Sequence, residues 1–239
     1  MSAAAKQKDA RVFARAEHDF YAEPQGLADA VARFVVTDRR DAKHLTICDP
    51  CCGTGRIVRA FGQNYRRNVD YILASDLVPR WREWERLHGR EAHQSTLKCD
   101  ISWHVAAACD VLEGQHFDAV VTNPPYDRKL LWPIVAAARR AAPYVAMILP
   151  AAFWHSASAI PHCDGLSDVL SIIPRPSMPP GVVDHLATHT PDGVRIGGGA
   201  VDFCVAVWRF GRVGAPRGGW FNWGVKAENE STNLLEVRI

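Results

Sequence analysis

Two stretches of this 239-residue chain carry residue types whose order and spacing suit chemistry. The first is Asn123-Pro124-Pro125-Tyr126. Two successive prolines remove two N–H donors and fix two φ angles, so the Asn123 side chain and the Pro124 carbonyl are held as acceptors toward one point. Acceptors of this kind suit an amino group, and Tyr126 offers a flat face on which a planar, conjugated amine can stack. The second stretch is Asp49-Pro50-Cys51-Cys52-Gly53-Thr54-Gly55-Arg56. Gly53 and Gly55 let the backbone come close to a ligand, and a helix N-terminus with unpaired N–H groups follows them. The chain here has no Gly-Lys-Ser/Thr and no third glycine, so it is neither a P-loop nor a full dinucleotide fingerprint. A carboxylate at this turn, Asp49, disfavours a pyrophosphate and suits an ammonium or sulfonium group.

These residues need a scaffold that brings them to one edge. Short β-type runs alternate with amphipathic stretches over most of the chain, the pattern of an α/β fold with a largely parallel sheet. "LADAVARFVV" (27–36) has helical spacing after the turn-like "YAEPQG". Expected strands are "HLTICD" (44–49), "YILASD" (71–76), "HVAAACD" (104–110), "FDAVVTN" (117–123) and "YVAMILP" (144–150). Between them lie expected helices "GRIVRAFGQNY", "RWREWERLH" with Trp81 and Trp84 on one side, and "LLWPIVAAARRAA", with Pro133 in its first turn. Residues 151–200 are rich in Pro, Gly, Ser and His; one strand is expected over 169–173 and the rest reads as a loop-rich, functional segment. "VDFCVAVWRF" (201–210) is a further strand, and "GGWFNWG" (218–224) a candidate last short one.

In such sheets ligands sit outside the carboxyl ends of the strands. Asp49, Asp76 and Asp110 fall at three successive expected strand ends. Asp76, followed by Leu77, is placed to accept hydrogen bonds from ribose hydroxyls. Asp110 could take an adenine amino group, with Val111 beside it against the ring; Asp100 is its rival if "LKCD" (97–100) is the strand instead. Taken singly, each acid could equally be a helix cap or an exposed turn residue.

In order along the chain, "FYAEP", "DPCCGTG", "ASD", "CD" and "NPPY" resemble the class I S-adenosylmethionine-dependent methyltransferases, in particular the adenine-N6 DNA methyltransferases. The resemblance covers about residues 20–154 and, more loosely, "VDFCVAVWRF". It implies a Rossmann-like methyltransferase fold: a mostly parallel seven-stranded sheet with an antiparallel last strand and helices on both faces. It implies S-adenosyl-L-methionine as cofactor, with Tyr21 and Pro24 flanking the methionine end and the turn Pro50, Cys51, Gly53 and Gly55 carrying its backbone. Asp49 would lie near its amino group, Asp76 and Leu77 at the ribose, and Asp110 and Val111 at the adenine. Asn123, Pro124 and Pro125 would bind the target amine, with Asn123 also touching the cofactor, and Tyr126 would stack on a base flipped from DNA. Two departures stand out: Glu23 replaces a common threonine, and Cys51 and Cys52 replace small or aromatic residues. RNA bases and protein glutamine are other targets of related chains with this motif. Glutamine methylases of this type carry a helical domain before the glycine turn, whereas only about forty residues precede it here.

Length and composition fit this reading. A chain of this size suits one domain spanning 1–239, with 151–200 inside it as the substrate-recognition segment. The net charge of +2 announces no polyanion, yet 128–226 holds ten Lys and Arg against five Asp and Glu, which marks the later part as the better nucleic-acid face. The first residues lack an apolar run and no long apolar segment occurs, so neither a signal peptide nor a membrane span is expected. Seven cysteines, an odd count, suit reduced thiols and a cytoplasmic protein. Cys48-x-x-Cys51 has no second pair at metal spacing, and "HLATH" (185–189) lacks a zincin glutamate, so no metal site is expected.

Overall fold

Alternation along the strands builds the architecture. Ile47 packs on one face of the sheet and Cys48 on the other; Val121 and Val120, Ile148 and Met147, and Val205 and Cys204 divide in the same way. A strand with both faces buried in this manner needs cover on both sides, and helices supply it. The computed structural model describes residues 20–40, 43–65, 67–89, 99–179, 181–183, 199 and 201–224.

In chain order the elements are α1 (Gln25–Asp38), β1 (Leu45–Asp49), α2 (Arg56–Asn64), β2 (Val69–Asp76), α3 (Arg80–His88), β3 (Asp100–Val105), α4 (Ala108–Leu112), β4 (Ala119–Thr122), α5 (Arg128–Ala141) and β5 (Tyr144–Pro150). Two 3-10 helices, Ala151–His155 and Ala157–His162, then lead into β6 (Leu166–Ile173), β7 (Phe203–Arg209) and β8 (Arg217–Asn222). Among the described residues the sheet has eight strands in the order β3-β2-β1-β4-β5-β7-β6-β8. Only β7 runs antiparallel, paired with β5 on one side and β6 on the other. Buried residues of α1 and α2, with Trp81 of α3, pack on one face; α4, α5 and Phe153 pack on the other.

The order reverses between β1 and β4, both followed by chain that crosses to opposite faces. That switch point is where a ligand crevice forms in an open α/β sheet. All four residues of β4 are buried, so its carboxyl end is held from both sides.

Several boundaries differ from expectation, each for a physical reason. The third strand is Asp100–Val105, and "AAACD" is not strand: residues 108–112 form α4. Ala108 and Leu112, four residues apart on one face of this short helix, are both buried in the cluster that holds α5, so packing favours the helix over a strand. The helix after Tyr126 starts at Arg128, where the Asp127 side chain accepts the Lys129 N–H, so Pro133 lies in its second turn rather than its first. The strand expected over 169–173 extends back to Leu166, and part of the loop before it is 3-10 helix. The resemblance implied seven strands and the sheet has eight, with the antiparallel strand inside it. The candidate last strand over 218–224 is the edge strand β8, which runs parallel to β6 and is fastened where Arg217 Nε donates to the buried Asp168 Oδ1 at 2.7 Å. Among the described residues, no helix is long and apolar enough to cross a membrane. "HLATH" and the charged tail after residue 224 lie outside the described residues.

Candidate active site

The glycine turn is shaped by what crowds it. Gly53 has φ +53° and Gly55 +81°; a Cβ would lie 2.7 Å from the Phe20 ring at Gly53 and 2.6 Å from Trp103 at Gly55. Both positions therefore demand glycine for backbone conformation and for space. The turn is tied to β2, where Cys52 N donates to Ser75 O at 2.8 Å and Gly53 N to Asp76 Oδ2 at 2.8 Å.

Asp76 ends β2 and gathers its surroundings. Besides Gly53 N, it accepts Val78 N at 3.0 Å and the Arg80 guanidinium at 3.2 Å, and Arg80 in turn lies over the Phe20 ring, 4.3 Å from its centroid. The segment before α1 is thereby fastened across the ends of β1 and β2.

Asp49 ends β1 and is 1% exposed. Burial pushes its carboxyl well above the usual carboxylate range, and the nearby charges of Glu23 and Asp76 push it the same way. A buried acid so placed favours any ligand that brings a positive charge.

Asn123 ends β4. Its Nδ2 donates to Tyr21 O at 2.8 Å and to Glu23 Oε2 at 2.9 Å. A primary amide has two N–H donors and one carbonyl oxygen, so both donors are spent toward the N-terminal segment and Oδ1 is turned the other way, where it accepts the Tyr126 hydroxyl. Tyr126 stacks on Tyr21 with centroids 5.3 Å apart and planes 18° apart, and Phe203 and Phe153 flank it at 5.7 and 6.5 Å. Pro124 is buried and does not line the adjoining cleft, whereas Pro125 does.

A cleft of about 320 Å³ opens at the carboxyl ends of β1, β2 and β4, and Tyr126 is not among the residues that line it. Pro50, Cys51, Asp76, Leu77, Asn123 and Pro125 line it, together with Tyr21. A narrow extension beside it is bounded by Glu23, Asp49 and Gly53. Gly55 serves as the left-handed N-cap of α2, and Pro24 as the N-cap of α1. Two expected residues are placed differently. Asp110 is an exposed residue of α4, and it is Ala107, Ala108 and Cys109 that line the cleft, while Val111 packs into the core on the α5 side. Its rival Asp100 opens β3, at the end of the strand away from the cleft. Sequence reading missed Phe20 and Arg80 as walls and Glu23 as a partner of Asn123; a charged residue immediately before the helix-capping Pro24 was the available signal. No group of three or more His, Cys, Asp or Glu that could hold a metal occurs among the described residues.

The chain matches no protein-family model and no curated protein sequence. It is similar in structure to a protein of Pyrococcus horikoshii described as an RNA methyltransferase, with a TM-score of 0.56 at 11% identity, covering 81% of this chain and 88% of that one. A Listeria monocytogenes protein described as a class I S-adenosylmethionine-dependent methyltransferase gives 0.55 at 12% identity, covering 85% and 67%. The methyltransferase subunit of a type I restriction-modification system from Streptococcus thermophilus gives 0.57 at 14% identity, with 81% of this chain matched to 45% of that one. The fold is therefore the Rossmann-like α/β fold that these methyltransferases share.

Proposed function

We propose that this chain is an S-adenosylmethionine-dependent methyltransferase that acts on the exocyclic N6 amine of adenine in DNA, with the base turned out of the duplex. The observation that carries this reading is the Asn123 amide, whose two N–H groups are both engaged by Tyr21 O and Glu23 and whose oxygen accepts the Tyr126 hydroxyl on one lone pair and keeps the other beside the cleft.

The residues fit the cofactor. Buried Asp49 calls for a cation, Asp76 offers carboxylate oxygens at the place where ribose hydroxyls bind in doubly wound sheets, and Leu77 and Ala108 give apolar walls for a ring. S-adenosylmethionine, when bound, supplies an electrophilic methyl group on a sulfonium. Adenine's amine is a poor nucleophile because its lone pair is conjugated into the ring. Acceptors on its N–H bonds, Asn123 Oδ1 and the Pro124 carbonyl, favour pyramidalisation and localise that lone pair toward the methyl. Tyr126 would be the platform for the base, which would take the place of the Tyr21 ring now stacked on it; that stack supports the reading. Orientation of this kind supplies roughly 7–11 kcal/mol in well-aligned systems. Arg128 and Lys129 open α5 at the rim and suit a phosphate backbone.

Cofactor binding should be linked to a proton. Burial holds Asp49 protonated above the usual carboxylate range, and a cation beside it favours the ionised form, so binding releases a proton and affinity falls as pH falls through the raised value. Calorimetry with S-adenosylmethionine in two buffers of different ionisation enthalpy reads that release; no release at any pH would remove Asp49 from the cofactor site.

The function itself is tested by supplying tritiated-methyl cofactor with duplex DNA, single-stranded DNA, total RNA and protein lysate in parallel. Label in DNA supports the reading. A second reading, an amine in RNA, is favoured by the match to 88% of a compact protein described as an RNA methyltransferase, and label confined to RNA would select it.

A further inference from the structure

We infer that Glu23 is a positioning residue, which locks the Asn123 amide so that its oxygen faces the target amine. The inference rests on the proposed role of Asn123 and deepens it.

Glu23 lies a hundred residues before Asn123, on the segment between Tyr21 and α1, and is 7% exposed. An asparagine amide can turn over with little change in shape, which would exchange its donor for its acceptor. Tyr21 O opposes that turn with one hydrogen bond at 2.8 Å, and the Glu23 carboxylate adds a second at 2.9 Å. The second is charge-assisted and about twice as strong as a neutral one. It also draws density onto Oδ1, because a chain of hydrogen bonds polarises its members. Turning the amide over would set Oδ1 against both a carbonyl and a carboxylate.

The groups that face the Glu23 carboxyl come from three elements: Arg56 and Arg59 from α2, Asp49 from the end of β1, and Asn123 from the end of β4. Arg56 also donates to the Glu23 main-chain carbonyl, which fixes the backbone that presents the carboxylate. Burial raises the Glu23 carboxyl above its ordinary range, against the pull of Arg56 and of the Asn123 hydrogen bond. The ionised form is the one that holds Asn123 most strongly, so the lock weakens as pH falls through that raised value.

The test compares Glu23→Gln and Glu23→Ala with the native chain. In 15N-labelled native protein without cofactor, the Asn123 side-chain amide signals, assigned by their loss in Asn123→Ala, should shift with pH through a value above the ordinary carboxyl range. In Glu23→Gln they should not shift with pH. Glu23→Ala should lower kcat at least about tenfold with the cofactor Kd little changed, as expected on losing a hydrogen bond to a charged group. Glu23→Gln still offers an acceptor oxygen, so it should recover most of kcat at neutral pH and lose the acid limb of the pH profile. Amide signals that ignore pH in the native protein, or a Glu23→Ala variant with native kcat and only a lowered Tm, would overturn the inference and leave the methyltransferase reading standing. If the native chain methylates no amine at all, that reading fails, while the amide titration still decides whether Glu23 holds Asn123.

Discussion

An Asn123→Ala variant should transfer methyl groups about 10²–10³-fold more slowly than the native chain, a loss of about 2.7–4 kcal/mol of transition-state stabilisation, the range seen when one preorganised hydrogen-bonding group is removed. Cofactor affinity should change little, because Asn123 approaches the cleft from the end of β4 whereas the glycine turn and Asp76 hold the other side. The loss should therefore appear in kcat, the signature of an interaction made mainly in the transition state. Asn123→Asp is no milder a change, although it is nearly isosteric. It sets a carboxylate against the Tyr21 carbonyl and the Glu23 carboxylate, where the native amide donates to both. Rates measured with saturating cofactor and a saturating amine substrate decide the matter. A fully active Asn123→Ala chain would exclude Asn123 from the chemistry.

Asp76→Ala should act on the other half of the site. Its carboxylate accepts Gly53 N, Val78 N and the Arg80 guanidinium, and is also the group assigned to the ribose hydroxyls. Hydrogen bonds to a charged group contribute about 1.5–3 kcal/mol each, so losing the ribose contact alone weakens cofactor binding roughly 10- to 100-fold. Release of the Gly53 N–H and of Arg80 adds to this by loosening the turn. Calorimetry with S-adenosylmethionine gives the Kd, and a melting curve on the same sample separates loss of the site from loss of the fold. An unchanged Kd would remove Asp76 from the cofactor site.

The parts legible in the sequence were those where local pattern and tertiary position agree. Strands β1, β4 and β5 are short, largely buried apolar runs and β2 is buried toward its carboxyl end, and at each end lies a residue that stops the ladder or turns the chain: Asp49-Pro50, Asp76, Asn123-Pro124 after β4, and Pro150. Their ends fell together because a parallel sheet aligns its carboxyl ends. β3 was misplaced although "DISWHV" alternates polar and apolar residues: it is an edge strand whose six residues are all at least partly exposed, and the apolar alanine-rich run after it drew the expected strand onto what is α4. Asp110 went with it, from an expected strand end to an exposed helical position. Tyr126 was singled out from its place after two prolines, but nothing local could reveal that Tyr21, over a hundred residues earlier, stacks on it. Glu23 was read as a departure from a common threonine. Its hydrogen bond to Asn123 exists only once the segment before α1 crosses the end of β4.

The claim on which the account turns is that an exocyclic adenine amine accepts the methyl group. The most direct measurement is nucleoside analysis by mass spectrometry of duplex DNA after incubation with the native chain and S-adenosylmethionine, with Asn123→Ala as control. The account predicts N6-methyladenosine in its deoxy form with the native chain, and little or none with the variant. Methylation at a ring carbon or ring nitrogen, or equal yields from both chains, would contradict it.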